Sequence, residues 1–191
     1  MKAIIASIVW GVFSVVVLFA VTSEAQVNVG VPAYGGTGCP AGTAHIAYIE
    51  DSGEIQMVFD DFLAQSGRSV GKRMDRKSCN IVIPVQAQAG YQFALVSSGQ
   101  GYAAVKKGAK GLLAQEVFYA GTTGPVYKRT FTGPHNDNFE TSDDMIPTEL
   151  VWSPCGASVN LRANMSLLTQ GEAILNMDQV FLKVLQIRRC Q

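Results

Sequence analysis

Residues 157–168 read ASVNLRANMSLL: Val159, Leu161, Ala163, Met165 and Leu167 fall on one side, and Asn160, Arg162, Asn164 and Ser166 on the other. Successive side chains of an extended chain point to opposite faces, so a period of two marks a strand with one buried and one wet face. The same rhythm continues on both sides of this segment. Cys79, Ile81, Ile83 and Val85 share one face of residues 79–86, and Tyr91, Phe93 and Leu95 share one face of residues 91–97. Pro84 inside the first run points to an edge strand or a bulge, because proline cannot donate to a ladder. Further strands are expected over 100–106, 112–120, 125–132, 149–152 and 177–187. Residues 44–50 and 55–59 alternate around Asp51-Ser52-Gly53 and read as a β-hairpin.

About ten short strands with turn residues between them, and no long 3.6-period segment, predict an all-β chain, an antiparallel β-sandwich. A closed β-barrel is the runner-up, since periodicity does not separate the two.

The first residues belong to a different kind of segment. Lys2 precedes an apolar run from Ala3 to Val21, and Ser23-Glu24-Ala25 ends in small residues. That order marks a signal peptide, residues 1–25, cut after Ala25 and leaving residues 26–191 as a single exported domain. The rival reading is a membrane anchor, because the run approaches the ~18 apolar residues of a spanning helix. No basic stop-transfer cluster follows before residue 65, which favours cleavage and leaves no membrane span.

Lys and Arg number 15, as do Asp and Glu, so the formal net charge is zero. Nucleic acid and anionic membranes call for a basic excess, and neither is an expected partner. The basic run Arg68, Lys72, Arg73, Arg76 and Lys77 reads as a solvated loop rather than an anionic-ligand patch, since no aromatic is interleaved for stacking.

All four cysteines, Cys39, Cys79, Cys155 and Cys190, follow the signal segment. An even number in an exported chain implies two disulfides, with three connectivities open. Pairing Cys39 with Cys79 and Cys155 with Cys190 closes each end of the domain on itself and is the expected pattern. Loops of this length each stabilise the fold by roughly 3–4 kcal/mol on the chain-entropy model. No C-x-x-C occurs, which disfavours a zinc knuckle or a thioredoxin-type site. Cys39 would pin the Gly- and Pro-rich arm of residues 26–42, and Trp152 reads as a core residue beside the second disulfide.

Residues 133–147, GPHNDNFETSDDMIP, break the alternation and form the most functional-looking loop. His135, Asn136, Asp137, Asn138, Glu140, Asp143 and Asp144 make it the candidate ligand or metal loop. Asp137, Glu140, Asp143 and Asp144 are the candidates for a calcium site, which would draw on carboxylate, amide and backbone oxygens, although the spacing fits no EF-hand. Asn164-Met165-Ser166 is a glycosylation sequon, with Asn164 on the polar face. For a serine hydrolase the chain has no G-x-S-x-G and only His45 and His135 as bases, and the four thiols are expected to be oxidised. No catalytic residue is assigned.

Several short motifs recur in one order along the chain. They are Gly38-Cys39-Pro40-Ala41-Gly42-Thr43, Cys79 opening a strand, Tyr91-Gln92-Phe93-Ala94-Leu95 and Val117-Phe118-Tyr119-Ala120-Gly121, then Phe131-Thr132-Gly133-Pro134, Trp152-Ser153-Pro154-Cys155-Gly156 and Arg188-Arg189-Cys190. With these the chain resembles the domain of unknown function 4360 family of small secreted proteins, although Leu185-Gln186-Ile187 stands where the pattern carries an aromatic. The resemblance implies export and a disulfide-bonded β fold, and transfers no activity. The expected function is a non-catalytic exported binding or surface-interaction module, with a glycan or other cell-surface ligand as partner, in a secreted, periplasmic or extracellular setting. The alternatives are a secreted hydrolase using the 133–147 loop and a structural envelope protein.

Overall fold

The computed structural model describes residues 27–141 and 150–190. The expected signal segment therefore lies outside the described residues. Twelve strands form in chain order: β1 (Val27–Val29), β2 (Ala33–Gly35), β3 (Ala44–Ile49), β4 (Glu54–Phe59), β5 (Leu63–Ser66) and β6 (Met74–Ala87), then β7 (Tyr91–Val105), β8 (Lys110–Tyr119), β9 (Val126–Thr132), β10 (His135–Glu140), β11 (Ser158–Gln170) and β12 (Ala173–Arg189). A 3-10 turn, Arg68–Val70, lies between β5 and β6. No helix of the described residues is long and apolar enough to cross a membrane.

The strands make two antiparallel sheets, as the alternation predicts, and the sheets do not close into a barrel. The first sheet runs β1-β6-β11-β8-β9, with β2 also on β6; the second runs β10-β7-β12-β4-β3, with β5 also on β12. Inward residues of both sheets form one core, in which Ile81, Leu113, Leu161 and Leu167 face Met57, Leu175, Met177 and Leu182. Full burial of such side chains contributes about 1.5–3 kcal/mol each, which makes the period-two register hard to shift.

The disulfides join Cys39 to Cys79 and Cys155 to Cys190, with Cα separations of 5.3 and 5.8 Å. The first is wholly buried and fixes the N-terminal arm, including β1 and β2, against β6. The second ties the segment before β11 to the end of β12.

Several local expectations change. Residues 91–97 and 100–106 are not two strands but the single long β7, running through Gly99 and Gly101. Pro84 lies in an inner strand: β6 has β11 on one side, and on the other β1 and β2 leave a gap at Pro84, whose carbonyl accepts from the Gly30 N–H at 2.7 Å. The missing donor thus falls where no strand partner needs it. Arg76 and Lys77 belong to β6 rather than to a loop. Trp152 is half-buried, not core, and carries the Arg188 guanidinium 3.7 Å above its ring.

Gly101 shows why the glycines of β7 do not break it. A Cβ there would stand 2.1 Å from the Asn176 carbonyl oxygen and 2.7 Å from Phe139 Cζ. Gly101→Ala is therefore expected to lower stability by about 1–3 kcal/mol through overpacking. Urea unfolding, read as a lower midpoint at unchanged slope, checks this.

Candidate functional site

Within the segment expected to be a functional loop, residues 135–140 are a strand, and residues 142–147 lie outside the described residues. Residues 135–140 pair with β7 from Val105 to Gln100 and form an edge of the second sheet. Phe139 is buried and His135 half-buried, so both face inward at the rim. The His135 ring lies 5.4 Å from that of Phe131, and its Nε2 is enclosed without a hydrogen-bond partner. The Asn136 side-chain oxygen accepts from the Tyr102 hydroxyl at 2.6 Å. The Asp137 carboxylate accepts from the Asn138 N–H at 2.8 Å. Asp137 and Glu140 are exposed, and strand alternation sends them to opposite faces. A calcium ion held by Asp137 would need its other ligands from outside β10; Asp143 and Asp144 lie outside the described residues. Among those described, no three His, Cys, Asp or Glu side chains group as a metal site. Asn164 is half-buried on the outer face of β11, level with Asn80 and Glu116.

A different feature holds a cleft. β9 covers β8 only from Lys110 to Glu116, and β10 covers β7 only from Val105 to Gln100. Among the described residues β9 pairs no further along β8, and β7, after the Thr141 N–H meets the Gly99 carbonyl, next has an edge partner where Trp152 bridges Ala94; a cleft lies at this level between the inner faces. The cleft has a volume of ≈ 600 Å³. Leu95 and Ser97 of β7, Gln115 and Val117 of β8 and Tyr127 and Arg129 of β9 line it. Leu95, Val117 and Tyr127 are half-buried and pack onto the core.

The floor is polar. Ser97 and Gln115 are 9% and 1% exposed, and the Gln115 amide donates to the Ser97 hydroxyl. The Gln115 carbonyl oxygen is buried with no partner. Behind it the buried Tyr119 hydroxyl donates to the Phe93 carbonyl at 3.2 Å, and burial pushes its phenol well above the ordinary range. Arg129 forms the wall towards β10: its Nη1 donates to the Glu140 carbonyl at 2.7 Å, and its guanidinium lies 5.2 Å from the Phe131 ring centroid. Among the described lining residues none is Asp, Glu, His or Cys. The arrangement offers hydrogen bonds and apolar contact.

The sequence carried one sign of this floor: Gln115 stands in the inward phase of Leu113, Gln115, Val117 and Tyr119. A buried polar atom without a partner costs about 1–3 kcal/mol, whereas replacing both members of a pair by apolar groups of like shape is neutral or stabilising. The Ser97→Ala/Gln115→Met variant is accordingly expected to be more stable than wild type by about 1 kcal/mol, as denaturant unfolding would show.

Residues 25–190 match the family described as domain of unknown function (DUF4360). A relative from Arthroderma benhamiae, named an uncharacterized secreted protein, is 35% identical over 133 residues, which are 69% of this chain and 54% of that protein. The match thus spans about half the length of this relative. Among solved structures, TmCBM61 in complex with β-1,4-galactotriose is 16% identical and aligns over 83% of this chain and 88% of the other, at a TM-score of 0.26. A family 11 carbohydrate-binding module from Clostridium thermocellum, in complex with a mixed-linked tetrasaccharide, is 8% identical over the same shares, at 0.22. Likeness at these TM-scores says nothing of a ligand.

Proposed function

Because the chain belongs to the domain of unknown function DUF4360 family, which brings no activity with it, we propose from the cleft itself that it is a non-catalytic extracellular binding module for a neutral, hydroxyl-rich ligand such as a glycan. The observation that carries this reading is a cleft floored by the buried Ser97–Gln115 pair, whose Gln115 carbonyl oxygen has no partner, beside the apolar surface of Leu95, Val117 and Tyr127. A ligand hydroxyl that donates to it would satisfy the buried acceptor, and the half-buried Tyr127 and Leu95 offer surface for the C–H faces of a ring. Few polar groups set in apolar walls is the usual composition of a small-ligand site. The absence of acidic or imidazole groups among the described lining residues supports binding rather than hydrolysis. The two disulfides, with no free cysteine, and the similarity to a secreted protein support a location outside the cell.

Calorimetric titration with neutral hexasaccharides of glucose, xylose and mannose tests the reading. At least one is expected to bind saturably without being cleaved, and Tyr127→Ala and Gln115→Met to weaken it at least about tenfold, the loss of one or two good contacts. No saturable binding, or binding indifferent to both substitutions, would overturn the proposal. Gln115→Met also separates lost contact from lost fold, since it is expected to remain folded.

A further inference from the structure

The formal charge is zero, yet the charges are not evenly spread. Three turns meet at one end of the sandwich: residues 67–73 between β5 and β6, 106–109 between β7 and β8, and Gly171-Glu172 between β11 and β12. They carry Arg68, Lys72, Arg73, Lys106 and Lys107, and Lys110 follows at the start of β8; all six are exposed. The acids nearby are Asp75, which accepts from Lys72 Nζ at 3.1 Å, and Glu172. Partial burial pushes the Asp75 carboxyl up, but the Gln65 N–H and the Lys72 ammonium outweigh it and hold it below the ordinary carboxylate value. Much of the balancing acid is on and beside the β3–β4 hairpin, at Glu50, Asp51, Glu54, Asp60 and Asp61.

This basic end is concave and held by its backbone. A hollow of ≈ 720 Å³ is lined by Arg68, Lys72, Arg73 and Lys110 around Glu172. A second hollow, of ≈ 500 Å³, shares Glu172 and adds Lys106 and Lys107. The Gly171 N–H donates to the Arg73 carbonyl at 3.0 Å, the Lys106 N–H to the Glu172 carbonyl at 2.9 Å, and the Gly67 N–H to the Lys72 carbonyl at 2.7 Å. Ser66 Oγ donates to the Gly171 carbonyl at 2.7 Å. The cations are thus mounted on turns tied to one another, so little backbone order is lost when a ligand arrives. A concave surface lined by one sign of charge also focuses its field on an approaching counter-charge.

We propose that this end is a second binding site, separate from the cleft, and that it takes an acidic polysaccharide through its carboxylate or sulfate groups. Guanidinium forks match such planar or multi-oxygen anions, and lysines add charge along the chain. Two adjoining hollows suit a ligand with repeated charges better than a single small ion. An acidic lipid surface is the less fitting partner, because anionic lipid is concentrated on the cytoplasmic leaflet and this chain is read as extracellular.

Affinity chromatography on immobilised heparin and on immobilised polygalacturonate, with salt elution, tests the site, alongside flotation with phosphatidylserine vesicles. Wild type is expected to be retained on at least one polysaccharide and released by salt. Arg73→Glu/Lys110→Glu, and independently Arg68→Glu/Lys107→Glu, are expected to bind at least about tenfold more weakly with unchanged melting. Gln115→Met is expected to be retained like wild type, so failure of the cleft reading and failure of this one show separately. Passage of wild type through both columns would overturn the proposal, as would equal retention of both charge-reversed variants, loss of retention in Gln115→Met, or vesicle binding without polysaccharide binding.

Discussion

Consecutive long strands of this chain lie in opposite sheets, and the shortness of the links between them constrains everything else. β6 and β7, β7 and β8, β9 and β10, and β11 and β12 each cross from one sheet to the other. Packed sheets stand about 10 Å apart. Between β11 and β12 there are only Gly171 and Glu172. Three Cα–Cα steps reach at most about 11 Å, so the link spans the sheet separation with almost nothing to spare. The inner faces of β11 and β12 are therefore set against each other from their first residues. Gly111 shows how close the fit is: a Cβ there would lie 2.1 Å from Leu175 Cδ1, on the opposite sheet. The same short corners gather three turns at one end, which is how cations scattered over the sequence from Arg68 to Lys110 come to share one surface.

This topology also explains what the amino-acid pattern could and could not convey. Alternation reports which side chains share a face, and for β11 it does so residue by residue: Leu161, Ala163, Met165 and Leu167 are all buried. It says nothing of partners, because the faces of a strand are independent of which chain lies beside it. That β11 pairs with β6 and β8, and β12 with β7, β4 and β5, depends on contacts far apart in sequence. Glycine was the main source of misreading. Gly99 falls in the gap between the strands expected over 91–97 and 100–106, yet it sits inside β7 like Gly101, where an added Cβ would stand 2.1 Å from the Asn176 carbonyl oxygen. β10 was hidden for the opposite reason: an edge strand tolerates polar and charged residues, and only Phe139 and His135 in HNDNFE point to a covered face.

The two disulfides were legible from the cysteine count and placement, and they do different work. Cys39 and Cys79 are fully buried, so their bond joins a short arm with few contacts of its own to a central strand. Cys155 lies exposed at the rim, where Trp152 meets Ala94 in an isolated bridge and Arg188 covers the indole. Trp152 resembled a core residue because tryptophan beside cysteine so often is one. Its half-exposed position follows from being outside the strands. A guanidinium stacked on the ring shields it where a second sheet would otherwise have done so.

The cleft could not have been read from residue types alone, since its opening is set by where β9 and β10 end. Had both edge strands continued along β8 and β7, Ser97 and Gln115 would lie in a closed interior. There an orphan carbonyl would be a plain defect, and leucine or methionine would serve better. At the end of the covered edge the residue that carries it lines a space of ≈ 600 Å³. Arg129 reinforces that geometry. By donating to the Glu140 carbonyl it joins β9 of one sheet to β10 of the other, so the two edge strands are held together beside the point where each stops. The opening is thus bounded by a hydrogen-bonded bridge on one side and by the packed core beneath. The Gln115 carbonyl shares its lack of a partner with the Thr169 hydroxyl and His135 Nε2, but of these three residues Gln115 is the one that lines this cleft.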